Sequence, residues 1–106
     1  MAFTIKQNDT SPSLGATLKD AQSTAVSLVG ATVKLHMNSL DGVVKVNQTM
    51  TVTDAENGVI QYNWQAGDTD TVGAYYAEFQ VTYVDGSVET FPNDGNLVVS
   101  VVKELN

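Results

Sequence analysis

The sequence predicts an all-β fold, an antiparallel β-sandwich of about seven to eight short strands. Two observations carry this expectation. Apolar residues recur with period two rather than 3.6. The runs that contain them are rich in β-branched and aromatic residues and are punctuated by Gly, Asn and Asp turns. A third observation argues against long solvated helices: only 16% of residues are charged, against ~25% in an average domain.

The elements follow in chain order. Phe3 and Ile5 alternate near the start. Residues 14–25 (LGATLKDAQSTA) admit two readings, one helical turn or an irregular strand with a bulge. Across residues 31–38, Val33, Leu35 and Met37 alternate, which sends Lys34 and His36 to the opposite face. Residues 43–53 (VVKVNQTMTVT) form one β-branched stretch with Val44, Val46, Met50 and Val52. Ile60, Tyr62 and Trp64 alternate across residues 59–64. The longest alternation is residues 74–84 (AYYAEFQVTYV), with Tyr75, Ala77, Phe79, Val81 and Tyr83 on the apolar side. Asp85-Gly86 follows, then residues 87–91. Asp-Gly between two such runs is the strongest short hairpin signal, because both central residues of that tight turn favour positive φ. Pro92 stops the second strand of the hairpin because it has no N–H for a ladder. Val98 to Val102 closes the fold. Trp64 and Phe79 are expected in the core. No repeat or linker interrupts the chain, so residues 1–106 read as a single domain.

Composition narrows the function. A chain of 106 residues can bury roughly two-thirds of its unfolded surface, enough for a core without staples. Mean hydropathy is −0.07, and no apolar run approaches the ~18 residues of a membrane span. The five basic residues are all Lys, against twelve Asp and Glu, for a net charge of −7. Such a surface repels phosphate backbones, which argues against nucleic-acid binding. Cys is absent and His occurs once, so thiolate metal sites and thiol nucleophiles are excluded and little is left for acid–base catalysis. The start, MAFTIKQNDT, lacks a secretory h-region, which leads to the expectation of synthesis in a cytoplasm. Neither an enzyme nor a cofactor is expected.

Tyr75 suggests what kind of sandwich this is. It begins the longest strand directly after a loop rich in Asp and Gly. Immunoglobulin-like sandwiches use a Tyr there, ring inward and hydroxyl turned back to the preceding backbone. Ala77 stands where antibody domains place Cys, and Trp64 falls too late for the antibody tryptophan. The expectation is therefore a disulfide-free immunoglobulin-like relative, with a plain core role for Tyr75 as the alternative.

The ordered series Asn57-Gly58-Val59-Ile60-Gln61-Tyr62-Asn63-Trp64, Gly67-Asp68-Thr69, Gly73-Ala74-Tyr75-Tyr76-Ala77-Glu78-Phe79, Asp85-Gly86 and Thr90-Phe91-Pro92 resembles the N-terminal domain of phage upper baseplate proteins of the BppU type. Residues 3–10 and 28–33 match as well. The resemblance implies an immunoglobulin-like module of a phage tail or baseplate. By that resemblance the module would dock the host-recognition apparatus onto the tail core, with other tail or baseplate proteins as partners and several copies in the virion. Charge and hydropathy, as above, lead to the expectation of no nucleic-acid or membrane partner. In that family longer C-terminal parts carry the arms. This chain ends at Asn106 without one, which leaves a stand-alone tail protein or an excised domain as the two readings.

Three candidate sites remain. Asp68 and Asp70, with Asp54 and Glu56, offer hard oxygen ligands to Ca2+ but lack the EF-hand series; the other reading is a solvated turn. His36 has no second His or nucleophile to work with and reads as a surface or groove residue. Tyr76 with Val84, on the polar side of the long strand, suits a partner protein or a sugar, or else covers the edge of the second sheet. The leading functional expectation is a docking module that acts through strand edges and end loops, with residues 79–91 and 65–73 as its surface. The alternative is a carbohydrate- or host-surface-binding sandwich.

Overall fold

Nine strands form in the computed structural model, which describes residues 2–93 and 95–105. They are β1 (Ala2–Lys6), β2 (Leu14–Thr17), β3 (Thr32–Ser39), β4 (Val44–Thr49), β5 (Thr51–Asp54), β6 (Val59–Tyr62), β7 (Gly73–Thr82), β8 (Val88–Phe91) and β9 (Leu97–Val102). The larger sheet runs β1-β9-β7-β3-β4, with β8 also paired to β7. The smaller sheet is β2-β6-β5. No helix occurs among the described residues. The all-β sandwich holds, with nine strands in place of about seven or eight. One pair departs from the antiparallel pattern: β1 lies parallel to β9, Ile5 opposite Val101.

The period-two signal arises because both sheets press one face onto a shared core. Val33, Leu35 and Met37 of β3, Ala77, Phe79 and Val81 of β7, and Leu97, Val99 and Val101 of β9 are all buried. Ile60, Tyr62, Trp64, Leu14 and Met50 meet them from the other side. Trp64 and Phe79 are core residues, as the alternation predicts.

Residues 43–53 are two strands, not one. The chain leaves the large sheet after Thr49 and joins the small sheet at Thr51. Met50 is the pivot; its side chain is buried, and its N–H donates to the Val33 carbonyl at 2.8 Å. Alternation continues through the pivot because both strands face the same core, so periodicity cannot reveal the change of sheet. Residues 14–25 resolve to β2 and a bridge between Lys19 and Ala25. The Asp20 carboxylate closes that loop by accepting from the N–H groups of Gln22 and Thr24 at 2.9 and 3.0 Å.

The two Asp-Gly turns share one design, and it is not the tightest hairpin. In each, the Gly N–H donates to the carbonyl three residues back: Gly86 to Tyr83 at 2.9 Å, and Gly42 to Ser39 at 2.9 Å. Only the Gly has positive φ, 89° and 90° respectively. This is a type I turn followed by a left-handed glycine, so the Asp stays in an ordinary conformation. The Asp side chains help: Asp85 Oδ1 accepts from the Ser87 N–H at 2.9 Å, and Asp41 accepts from the Ser39 hydroxyl.

Gly58 differs from Gly42 in its surroundings. Its φ is +69°, and an added Cβ would lie 2.7 Å from the Val26 carbonyl oxygen and 2.8 Å from that of Leu18, both backbone atoms. Gly42 has φ +90° and open space. Gly58→Ala should therefore cost about 2–4 kcal/mol, from the left-handed conformation plus the clash, and Gly42→Ala about 1 kcal/mol. Urea unfolding of both variants checks the difference; equal losses would show that the 18–26 loop does not press on Gly58.

Candidate functional site

The start of β7 gathers loops from distant parts of the chain. Tyr75 is buried, and its hydroxyl donates to the Thr71 carbonyl at 2.6 Å, four residues back. This is the corner geometry, and the ring packs in the core at the same time. Thr69, in the same loop, is the one buried polar residue among those described. Its hydroxyl donates to the Asp9 carbonyl at 2.8 Å, and its own carbonyl accepts from the Asn8 N–H at 2.9 Å. The Gln7 side chain donates to the Asp70 carbonyl at 2.9 Å. The 65–72 loop and the segment after β1 are thus stitched together from both sides.

The two Asp residues of this loop are occupied by protein donors. Asp68 accepts from the Tyr62 hydroxyl at 2.5 Å and from the Gln65 N–H at 2.8 Å. Asp70 accepts from Lys45 and from the Thr71 hydroxyl. These hydrogen bonds, Lys45 foremost, hold the Asp70 carboxyl below its ordinary range. Asp54 and Glu56 lie elsewhere: the β5–β6 turn packs against Leu18, Val26 and Leu28, where the Leu28 N–H donates to the Ala55 carbonyl at 2.7 Å. That is the end of the sandwich away from Asp68, so the four acids suggested by the sequence do not converge. Among the described residues no three His, Asp or Glu side chains come together as a metal group.

Tyr76 and Val84 are also separate. Tyr76 opposes Val98 near the start of β7, while Val84 sits in the β7–β8 turn against Gly30. Eight residue steps of extended chain, about 27 Å, separate them. The proposed partner surface divides likewise, since the 65–72 loop precedes β7 and the 83–87 turn follows it. They occupy opposite ends of a molecule 46 Å long. Tyr76 is 45% exposed on the outer face of the large sheet and covers no edge of the small one.

His36 is on that outer face too, opposite Leu35 and Met37 as alternation requires. It lines a shallow concavity of about 180 Å³ with Asn38, Val44, Asn47, Tyr76 and Glu78. Two further hollows open on the flanks. One is apolar, about 200 Å³, between Leu18, Phe79, Phe91 and Pro92. The other, about 410 Å³, is lined by amides and hydroxyls, including Gln48, Thr51, Gln61 and Asn63. Sequence reasoning singled out His36 and Tyr76 but did not join them, because strand register is invisible in the sequence. It gave no structural role to Thr69 and passed over Lys45, since a Thr between two Asp residues reads as solvated loop.

Residues 2–104 match the family model described as the BppU N-terminal domain. By structure, the chain is similar to the crystal structure of CopC from Methylosinus trichosporium OB3b, with a TM-score of 0.56 and 11% identity over 98% of this chain and 86% of that one. At that identity the likeness is one of fold. No curated protein gives a significant sequence match.

The Tyr62–Asp68 contact has a pH consequence. Burial first, and then the Asp68 hydrogen bond and charge, push the Tyr62 phenol well above its usual 10. Burial and the Glu89 hydrogen bond raise Tyr83 to about 12. A folded-state value above the unfolded one contributes stability that is complete below pH 10 and is lost as pH rises beyond it. The melting temperature should be flat approaching pH 10 and fall between pH 10 and 12. In Tyr62→Phe that fall should be shallower, with about 1–3 kcal/mol lost at neutral pH. An identical alkaline slope in the variant would contradict the assignment.

Proposed function

The chain belongs to the BppU N-terminal domain family, which makes it a bacteriophage baseplate structural protein of the tail, and we propose that within the baseplate it is a non-catalytic docking module. It engages other tail proteins through the end of the sandwich where β7 begins. The observation that carries this reading is the coincidence of exposed apolar side chains with loops already fixed in place. Leu40 and Val43 flank the β3–β4 turn, Val72 precedes β7, Val102 ends β9, and Leu105 lies just beyond; all are exposed. Cross-strand register puts Ser39 beside Tyr75 and Gly73 beside Val101, so these segments meet at one end. Exposed apolar groups rimmed by polar loops mark interaction surfaces. Loops held by Tyr75, Thr69, Gln7 and Lys45 lose little further freedom on docking. A standard interface takes about 800 Å² per partner, a modest share of the 6139 Å² here.

Charge shapes the association. Copies carrying net −7 repel at low salt, so the free domain is monomeric until a partner surface supplies complementary contacts. Residues 1–106 act in this reading as a single domain.

The test is co-elution of the purified chain with baseplate proteins of the same phage. Leu40→Asp combined with Val72→Asp should abolish the complex and leave the melting temperature unchanged. Val84→Asp, at the far end, should bind normally. Association with none of those proteins, or loss caused only by Val84→Asp, would overturn the proposal.

A further inference from the structure

The outer face of the large sheet carries an arrangement that docking through the loop end does not use. Register places Asn47 of β4, His36 of β3 and Glu78 of β7 in one row across three strands. The next row is Val44, Asn38 and Tyr76. A bulge falls between Met37 and Asn38, where two residues of β4 meet one of β3. Bulges bend a strand and re-aim its side chains, and here these six residues, together with Val46, line the concavity of about 180 Å³.

These side chains are not satisfied by one another. His36 and Glu78 are directly opposed, yet no ion pair joins them among the described residues. No side-chain hydrogen bond of His36, Asn38, Asn47, Glu78 or Tyr76 occurs among the described residues. Elsewhere in this protein polar side chains are coupled: Asp68 to Tyr62, Asp70 to Lys45, Glu89 to Tyr83 and Gln61 to Asn63. The amide-lined flank hollow includes that last pair, so part of its polar capacity is already taken. Among the described residues, only the outer-face set gathers two amides, an imidazole, a carboxylate and an exposed phenol ring that make no side-chain hydrogen bond to one another.

We propose that this concavity is a binding site for a neutral saccharide, one sugar ring at a time. The donor and acceptor inventory fits vicinal hydroxyls: an amide offers both donor and acceptor, a carboxylate takes two O–H donors, and an imidazole adds one more contact. Tyr76 supplies a π face for the C–H side of a ring, whose slightly positive hydrogens suit the negative face of the aromatic. Val44 and Val98 flank the polar groups with apolar surface. Glu78 is the one carboxylate in the set and Lys34 lies one row beyond His36, a balance that favours an uncharged ligand over a phosphorylated or acidic one. The site lies on the sheet face, apart from the loop end, so its failure and the failure of the docking proposal are separable.

The experiment has two stages on the intact chain. A glycan array is followed by amide chemical-shift titration with glucose, galactose, rhamnose and N-acetylglucosamine, plus any array hit. Shifts should move at residues 36–38, 44–47 and 76–78 with millimolar affinity, and Tyr76→Ala should weaken binding at least tenfold with an unchanged melting temperature. Asn47→Ala, on an exposed position, should weaken it independently. No shift with any sugar, shifts elsewhere, or equal binding by Tyr76→Ala would overturn the proposal. So would loss of baseplate co-elution in Tyr76→Ala without any sugar response, because the face would then belong to a protein partner.

Discussion

The structure depends on one strand with one fully buried face. β7 pairs with β3 on one side and with β8 and β9 in succession on the other, so four of the six large-sheet strands meet through it. Tyr75, Ala77, Phe79 and Val81 point inward along its length and are all buried. Phe79 sits between the sheets at the level where β8 begins to replace β9, opposed to Leu35 and Phe91. A core at native packing density tolerates no slip of such a strand, because a shift of one residue would turn every one of these side chains to solvent. The same ten residues fix the distance between the two ends of the domain. They thereby decide which loops can cooperate: those around residues 7–13, 40–43 and 65–72, and not the 83–87 turn.

The faces of β3, β6 and β7 were legible in the sequence because burial on a shared core imposes period two, whereas Val44, grouped there with Val46, is exposed because the bulge in β4 turns it to the outer face. The turns were legible as positions but less so as geometry. Asp85-Gly86 signalled a hairpin, yet there, as at Asp41-Gly42, a left-handed Gly alone satisfies the turn, with Asp serving through its carboxylate. The passage between sheets at Met50 was hidden, since alternation is indifferent to which sheet supplies the pairing. Pairing partners were hidden as well. Without register, Asp54 and Glu56 seemed available to Asp68 and Asp70, although they lie at the other end. For the same reason His36, Glu78 and Asn47 could not be seen as one row. Tyr75 shows the opposite case: its place at the head of the long strand was enough to suggest the corner that its hydroxyl makes with Thr71.

The loop end and the sheet face suit different tasks for physical reasons. At the loop end, side chains and backbone groups are spent on one another, through Thr69, Gln7, Tyr62 and Lys45, and exposed apolar residues remain. That combination gives a stiff surface with a desolvation gain, which favours a protein partner. On the outer face, polar groups are aligned by the strands and have no side-chain partner among the described residues, which favours a small hydrogen-bonding ligand. A rigid sheet holds them at fixed spacing without any loop ordering, so recognition there needs no rearrangement of the fold.

Hydrogen–deuterium exchange on the chain, free and within assembled baseplates, tests the central claim most directly, because it reads every segment at once. Docking through the loop end predicts slowed exchange at the amides of residues 7–13, 40–43 and 65–72 on assembly, with the 83–87 turn unchanged. Protection concentrated at residues 83–87 with none at the loop end would contradict the account.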